Sequence, residues 1–237
     1  MCSLSRYVQF DLFCNNQGAF SEHERALERL QPVCGSVEVL QVRKESDLDN
    51  VDGVIIPGGE STTMRIIGQC SQDRGDSLLA KLRELAESGT PMWGTCAGCI
   101  LLSDHVSSSL GGGTNDHNVK LSSVEAVHLY GDQHIGGMDI NTSRNFFGRQ
   151  TKSFETFCSS PVPAFERFPC VFIRAPAILS VGPKATAVAT VVHGGDVITV
   201  AAQQDNLLAT CFHPELTNDL RIHEYFVNMV TTQNRKC

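Results

Sequence analysis

The sequence predicts an α/β protein with a mixed, mostly parallel sheet flanked by helices. Three observations carry this: a strand, helix, strand succession between residues 51 and 95, a string of four strand-like runs between 170 and 213, and amphipathic helical patterns near both ends of the chain. The 237 residues suffice for one large domain or two small ones, and a single domain over 1–237 is expected.

The first clear element is "SEHERALERL", where Ser21 and Glu24 read as a capping box and Phe20, Leu27 and Leu30 recur at helical spacing. A surface helix is expected there. "VDGVIIPGG" (51–59) is a short β-branched run cut off by Pro-Gly-Gly, the pattern of a buried parallel strand ending in a loop. "DSLLAKLRELAESG" places Leu78, Leu79, Leu82 and Leu85 on one face, with Gly89 past its end, and "TPMWGTC" follows as a second buried strand. Two strands joined through a helix pair in parallel.

Later, "CVFIRAP", "ATAVATVV", "DVITVAAQ" and "LLATCFH" follow one another through short turns such as His193-Gly194-Gly195, which makes the sheet mixed. "LTNDLRIHEYFVNMV" reads as a last helix packed on the sheet through Leu220, Tyr225, Phe226 and Met229. Residues 107 to 137 differ. Gly111-Gly112-Gly113 and the polar residues after them read as a long loop or insertion, and its His117, His128 and His134 read as solvated loop histidines, since their spacing fits no metal motif.

Composition narrows the function. Nineteen basic against 26 acidic residues give a net charge of −7, and no Lys/Arg run offers the patch that a nucleic-acid backbone needs. No apolar stretch is long enough for a membrane span or a signal-peptide core, so a cytoplasmic protein is expected. The ten cysteines are scattered, and most are expected to be reduced and buried.

One cysteine stands apart. In "GTCAG" (94–98), Cys96 lies between Gly94 and Gly98 where a strand gives way to a helix. A cysteine attacks as its thiolate, and a helix N-terminus supplies N–H groups and a positive dipole end to favour that form. Small flanking residues let a strained turn sit close to its neighbours, and the N–H of Ala97 becomes an oxyanion donor. The competing reading pairs Cys96 with Cys99 as a redox motif or half a zinc site, yet no second cysteine pair completes such a site. A plain core cysteine would not call for two glycines.

A nucleophile needs a base and an orienter. "CFHPEL" (211–216) offers His213 and Glu215, two apart, so in an extended segment both side chains would leave one face. The alternative is a solvent-facing His and Glu at a strand end.

With Cys96, His213 and Glu215 in these settings, the sequence resembles the class I glutamine amidotransferases. "PGGESTTMR" (57–65), "GTCAGCILLS" (94–103), "RNFFGRQ" (144–150), "SFE" (153–155), "FIRAP" (172–176) and "FHPELT" (212–217) occur in that order. Together with "QGAFSEH" (17–23), they resemble the glutaminase subunits of pyridoxal 5′-phosphate synthases over most of the chain.

The resemblance implies a three-layer class I glutamine amidotransferase fold and hydrolysis of L-glutamine to glutamate and ammonia by a Cys96-His213-Glu215 triad, without cofactor or metal. It implies an oxyanion hole at the Gly59 and Ala97 N–H groups, and glutamine contacts from Gln17, Gly58, Gly59, Glu60, Arg144, Ile173 and Arg174. It further implies a partner, the (β/α)8-barrel synthase subunit that receives the ammonia for vitamin B6 biosynthesis. Two features depart from the family. Asn15 and Asn16 stand where its first strand is apolar, and the 107–137 stretch is longer than its compact form requires. Other readings are a glutaminase for another acceptor, a γ-glutamyl cysteine hydrolase, and a catalytically silent regulatory subunit.

Overall fold

A computed structural model of the chain describes residues 5–10, 20–34, 37–59, 78–107, 134–144, 146–147 and 153–234. The elements run β1 (Ser5–Phe10), α1 (Phe20–Cys34), β2 (Val37–Val42), β3 (Gly53–Ile56), α2 (Leu78–Glu87), β4 (Met92–Thr95), α3 (Ala97–Leu102) and β5 (Ser103–Ser107). They continue with β6 (Met138–Ser143), β7 (Phe154–Phe157), β8 (Pro169–Phe172), β9 (Ala177–Val181), β10 (Thr186–His193), β11 (Asp196–Gln204), β12 (Leu207–Thr210) and α4 (Arg221–Asn234).

Ten strands make one sheet in the order β2-β1-β3-β4-β12-β11-β9-β6-β5, with β10 paired to β11. From β2 to β12 every pairing is parallel, as the strand, helix, strand pattern predicts. Beyond β12 the neighbours turn antiparallel through β11, β9 and β6. The mixed character has a local cause: β10 and β11 are joined by Gly194 (φ 62°) and Gly195 (φ 93°), the two left-handed residues of a tight hairpin turn. β7 and β8 form a separate antiparallel ribbon.

The central strands are buried on both faces, which their unbroken apolar character requires: Val54, Ile55, Ile56, Met92, Trp93 and Leu208 have no exposed surface. Leu78, Leu79 and Leu82 of α2 are buried as their spacing predicts, Leu85 packs at the margin, and Gly89 (φ 93°) ends the segment.

Several sequence expectations are corrected. α1 starts at Phe20, so Ser21 lies inside the first turn and bonds Glu22 at 2.9 Å instead of capping with Glu24, whose carboxylate lies 3.5 Å from the Gln41 amide. The "FIRAP" run leaves its strand after Phe172, because Arg174 takes a left-handed φ of 49°. His134 is buried at 6% exposure rather than solvated, and Arg83 donates to its carbonyl. His117 and His128 lie outside the described residues. The first strand is Ser5–Phe10, ahead of Asn15 and Asn16, which also lie outside them.

At the seam of α1 and α4, His23 and His223 are fully buried and meet at 2.9 Å, Nδ1 to Nε2. Trp93 stands edge-on to both rings, at centroid distances of 5.3 and 5.0 Å. Burial disfavours their charged forms, pushing His223 down to about 3 with Arg29 adding a smaller repulsion. His23 is held well below its usual value by burial, then by His223 and His213.

Two predictions follow from this packing. A Cβ at Gly98 would strike the carbonyl oxygen of Ile56, so Gly98→Ala is expected to lower stability by about 1–3 kcal/mol, read as a lower urea midpoint with an unchanged slope. The unfolded histidines titrate near about 6.5, so below that pH the unfolded chain binds more protons than the fold. Stability present above that value is therefore lost as pH falls, for His223 down to about 3. The drop in urea midpoint between neutral and mildly acid buffer should be smaller in His223→Phe than in wild type; an equal drop would refute this account.

Candidate active site

Three neighbouring parallel strands, β3, β4 and β12, end at one edge of the sheet, and each delivers one part of the site from its carboxyl end. β3 runs into Pro57-Gly58-Gly59, β4 into Cys96, and β12 through Cys211 and Phe212 into His213. The registers Ile56↔Gly94 and Thr210↔Thr95 keep those ends level.

Cys96 has φ 48° and ψ −101°, a conformation costly for a residue with a side chain, and it stands at the N-cap of α3. Its own N–H donates to the Thr210 carbonyl at 2.8 Å. The flanking glycines explain how the turn fits: a Cβ at Gly94 would meet the backbone of Gly98, and one at Gly98 the carbonyl of Ile56. Cys96 is 7% exposed, a nearly closed position, and its side chain hydrogen-bonds His213.

Gly58 closes the third side. A Cβ there would stand 2.5 Å from Cε1 and 3.1 Å from Nδ1 of His213, and 3.4 Å from the Cys96 Cβ. Only a glycine leaves room there for the imidazole ring beside the thiol-bearing carbon.

His213 and Glu215 are brought together differently from the extended geometry expected. Pro214–Leu216 form a short 3-10 turn with His213 at its N-cap, because β12 has already ended at Thr210 and the Leu216 N–H folds back on the His213 carbonyl at 3.3 Å. The turn still sets Glu215 Oε1 2.7 Å from His213 Nδ1, with the carboxylate fully buried. The His213 N–H donates to the Val171 carbonyl at 2.9 Å, which anchors the turn to β8.

Burial, the largest single influence, pulls the His213 pKa down, but the charge and hydrogen bond of the Cys96 side chain together with those of Glu215 outweigh it, and the imidazole is held well above its usual value. Because Nδ1 serves Glu215, the ring meets the sulfur through Nε2. A sulfur nucleophile, an imidazole that can hold or return a proton, and a carboxylate that fixes the imidazole are the parts needed for acyl transfer.

The remaining expected residues are less tightly gathered. Ala97 opens α3 and is buried, while Gly59 is exposed at the loop end of β3. Ile173 and Arg174 follow β8 two and three residues after the Val171 contact, Ile173 half-buried and Arg174 exposed. Arg144 is half-buried in the turn after β6. Gln17 and Glu60 lie outside the described residues. Cys99, the alternative partner of Cys96, is a free, buried thiol, as are Cys158, Cys170 and Cys211. Among the described residues no group of three or more His, Cys, Asp or Glu side chains is placed to hold a metal ion, and no helix is long and apolar enough to cross a membrane.

Sequence reasoning missed one polar neighbour. His23 Nε2 lies 3.4 Å from Glu215 Oε2, both side chains inaccessible to solvent. The only signal was its place in the "QGAFSEH" block, which says nothing of its partner.

Comparison with known proteins places the chain among its relatives. The chain is 43% identical over 215 residues to the pyridoxal 5′-phosphate synthase subunit PdxT of Carboxydothermus hydrogenoformans, covering 90% of this chain and 94% of that one. It is 45% identical over 216 residues to the protein of the same name from Metallosphaera sedula, covering 90% and 95%. A crystal structure described as a glutamine amidotransferase superposes with a TM-score of 0.70 at 31% identity, over 94% of this chain and 98% of that one. The fold is that of the class I glutamine amidotransferases, and the model of the SNO glutamine amidotransferase family matches residues 14–232: the chain belongs to that family.

Proposed function

We propose that this chain is the glutaminase subunit of a pyridoxal 5′-phosphate synthase, hydrolysing L-glutamine at Cys96 and passing the ammonia to a (β/α)8-barrel synthase subunit. The observation that carries the reading is Cys96 on its strained elbow against His213, whose Nδ1 is held by Glu215 at 2.7 Å. The relatives, subunits of pyridoxal 5′-phosphate synthases, point to the acceptor.

The Cys96 sulfur attacks the side-chain carboxamide carbon of glutamine and a C–S bond forms. The oxyanion is held by the N–H groups of Gly59 and Ala97, one such donor being worth about 2.7–4 kcal/mol in the transition state. His213 gives its proton to the leaving nitrogen, the C–N bond breaks, and ammonia departs. His213, now neutral, takes a proton from water as the hydroxide adds to the thioester, and glutamate leaves with the sulfur restored. The family resemblance assigns Arg144 and Arg174 to the glutamine α-carboxylate, with Ile173 and Gly58 lining the side chain and Gln17 and Glu60 completing the polar contacts. The buried free cysteines suit a reducing compartment, in keeping with a cytoplasmic enzyme.

Glutamate release from glutamine should rise when the synthase subunit of a relative is added, and Cys96→Ala should abolish it. Activity indifferent to that subunit would point to another acceptor. No activity with or without it would support a silent subunit. Gly58→Ala, which pushes a methyl group into the His213 ring, should lower kcat by about 100-fold in a protein that still folds; an unchanged kcat would argue against the ring's role.

A further inference from the structure

We propose that His23 is a positioning residue for this site: from α1 it directs its Nε2 N–H at Oε2 of Glu215 and fixes the carboxylate whose other oxygen holds His213. The inference rests on the reading of Cys96, His213 and Glu215 as the hydrolytic site.

Glu215 divides its two oxygens. Oε1 serves His213 at 2.7 Å, while Oε2 is buried and has no hydrogen bond of ordinary geometry among the described residues. The nearest donor position is His23 Nε2 at 3.4 Å, and neither side chain has exposed surface. Hydrogen bonds of a catalytic site commonly tighten in the Michaelis complex. Thr95 Oγ1, also 3.4 Å from that nitrogen, is its hydrogen-bond partner here, so the role requires the N–H to turn from the hydroxyl to the carboxylate, whose charge draws it more strongly.

The tautomers agree with this direction. If Nε2 of His23 carries the proton, Nδ1 accepts, and His223 Nε2 donates to it at 2.9 Å. His223 Nδ1 is then a bare lone pair, and among the described residues it is indeed a buried atom without a hydrogen-bond partner. Reversing both tautomers would strand a buried N–H on His223 and aim a lone pair of His23 at the carboxylate. One arrangement satisfies the row His223, His23, Glu215, His213.

A neutral donor suits the task. The groups facing His23 are Glu215 and His213 beyond β12, His223 on α4, and Thr95 and Trp93 on β4. A lysine or arginine in its place would neutralise Glu215 and weaken its hold on a protonated His213. Imidazole kept uncharged by burial orients the carboxylate and leaves its charge in place.

Three variants separate positioning from packing. His23→Gln keeps an N–H near the Nε2 position, His23→Asn keeps one only near Nδ1, and His23→Leu keeps neither. Titration of the His213 ring by NMR, with histidine isotopically labelled, should show the midpoint falling by about one unit in Leu and Asn and holding in Gln. With a relative's synthase subunit added, kcat for glutamine should fall about 10–100-fold in Leu and Asn with KM little changed, and Gln should retain most of it. A wild-type midpoint and kcat in His23→Leu would overturn the proposal, as would equal losses in Gln and Asn. If Leu does not fold, Gln against Asn decides. Should wild type release no glutamate at all, the glutaminase reading fails, while the His213 midpoints still decide the role of His23.

Discussion

The approach of α3 to β3, close enough that a Cβ at Gly98 would strike the Ile56 carbonyl, is the constraint on which the rest of the site depends. Only with the helix that near can the chain leave β4 at Thr95 and turn in one residue at Cys96. That turn sets φ of 48° and brings the Cys96 N–H onto the Thr210 carbonyl at 2.8 Å. The bond ties the elbow to β12, the strand that supplies His213. Strain at the nucleophile is thus held by backbone contacts on both sides, from β3 through Gly98 and from β12 through Thr210.

Electrostatics separate two histidines that share one carboxylate. His213 and His23 stand on opposite oxygens of Glu215, at 2.7 and 3.4 Å, yet their proton affinities move in opposite directions. Burial lowers both. For His213 the adjacent Cys96 and Glu215 together reverse the result, whereas His23 meets two further imidazoles, whose positive charge would only add to the penalty. One histidine is thereby suited to carry a proton and the other to remain a neutral donor.

What could be read from the sequence was whatever is local. The turn from β4 to α3 announces itself because Gly-x-Cys-x-Gly states a steric demand within five residues, and the parallel pairing of β3 and β4 follows from apolar runs spaced by a helix. The strands β6 and β7 could not be read: β6 is "MDINTS", whose Thr142 and Ser143 are buried only because β5 and β9 cover them. The His213 to Glu215 contact was legible as a pair, but its geometry was not, since a 3-10 turn rather than strand alternation produces it. His134 looked like a loop histidine for want of any pattern around it, and its burial is a tertiary fact.

The same limit hid the row behind Glu215, whose two histidines are 200 residues apart in the chain. That separation gives the breadth of the family match a physical reading. α1 and α4 come from opposite ends of the chain, and their seam covers the face of Glu215 that His213 leaves open. Were either helix absent, water would reach the carboxylate, and its bond to the imidazole would compete with hydration. A nucleophile and base drawn from the middle and late strands therefore still need the first helix. The match over residues 14–232 spans the segments that this closure requires.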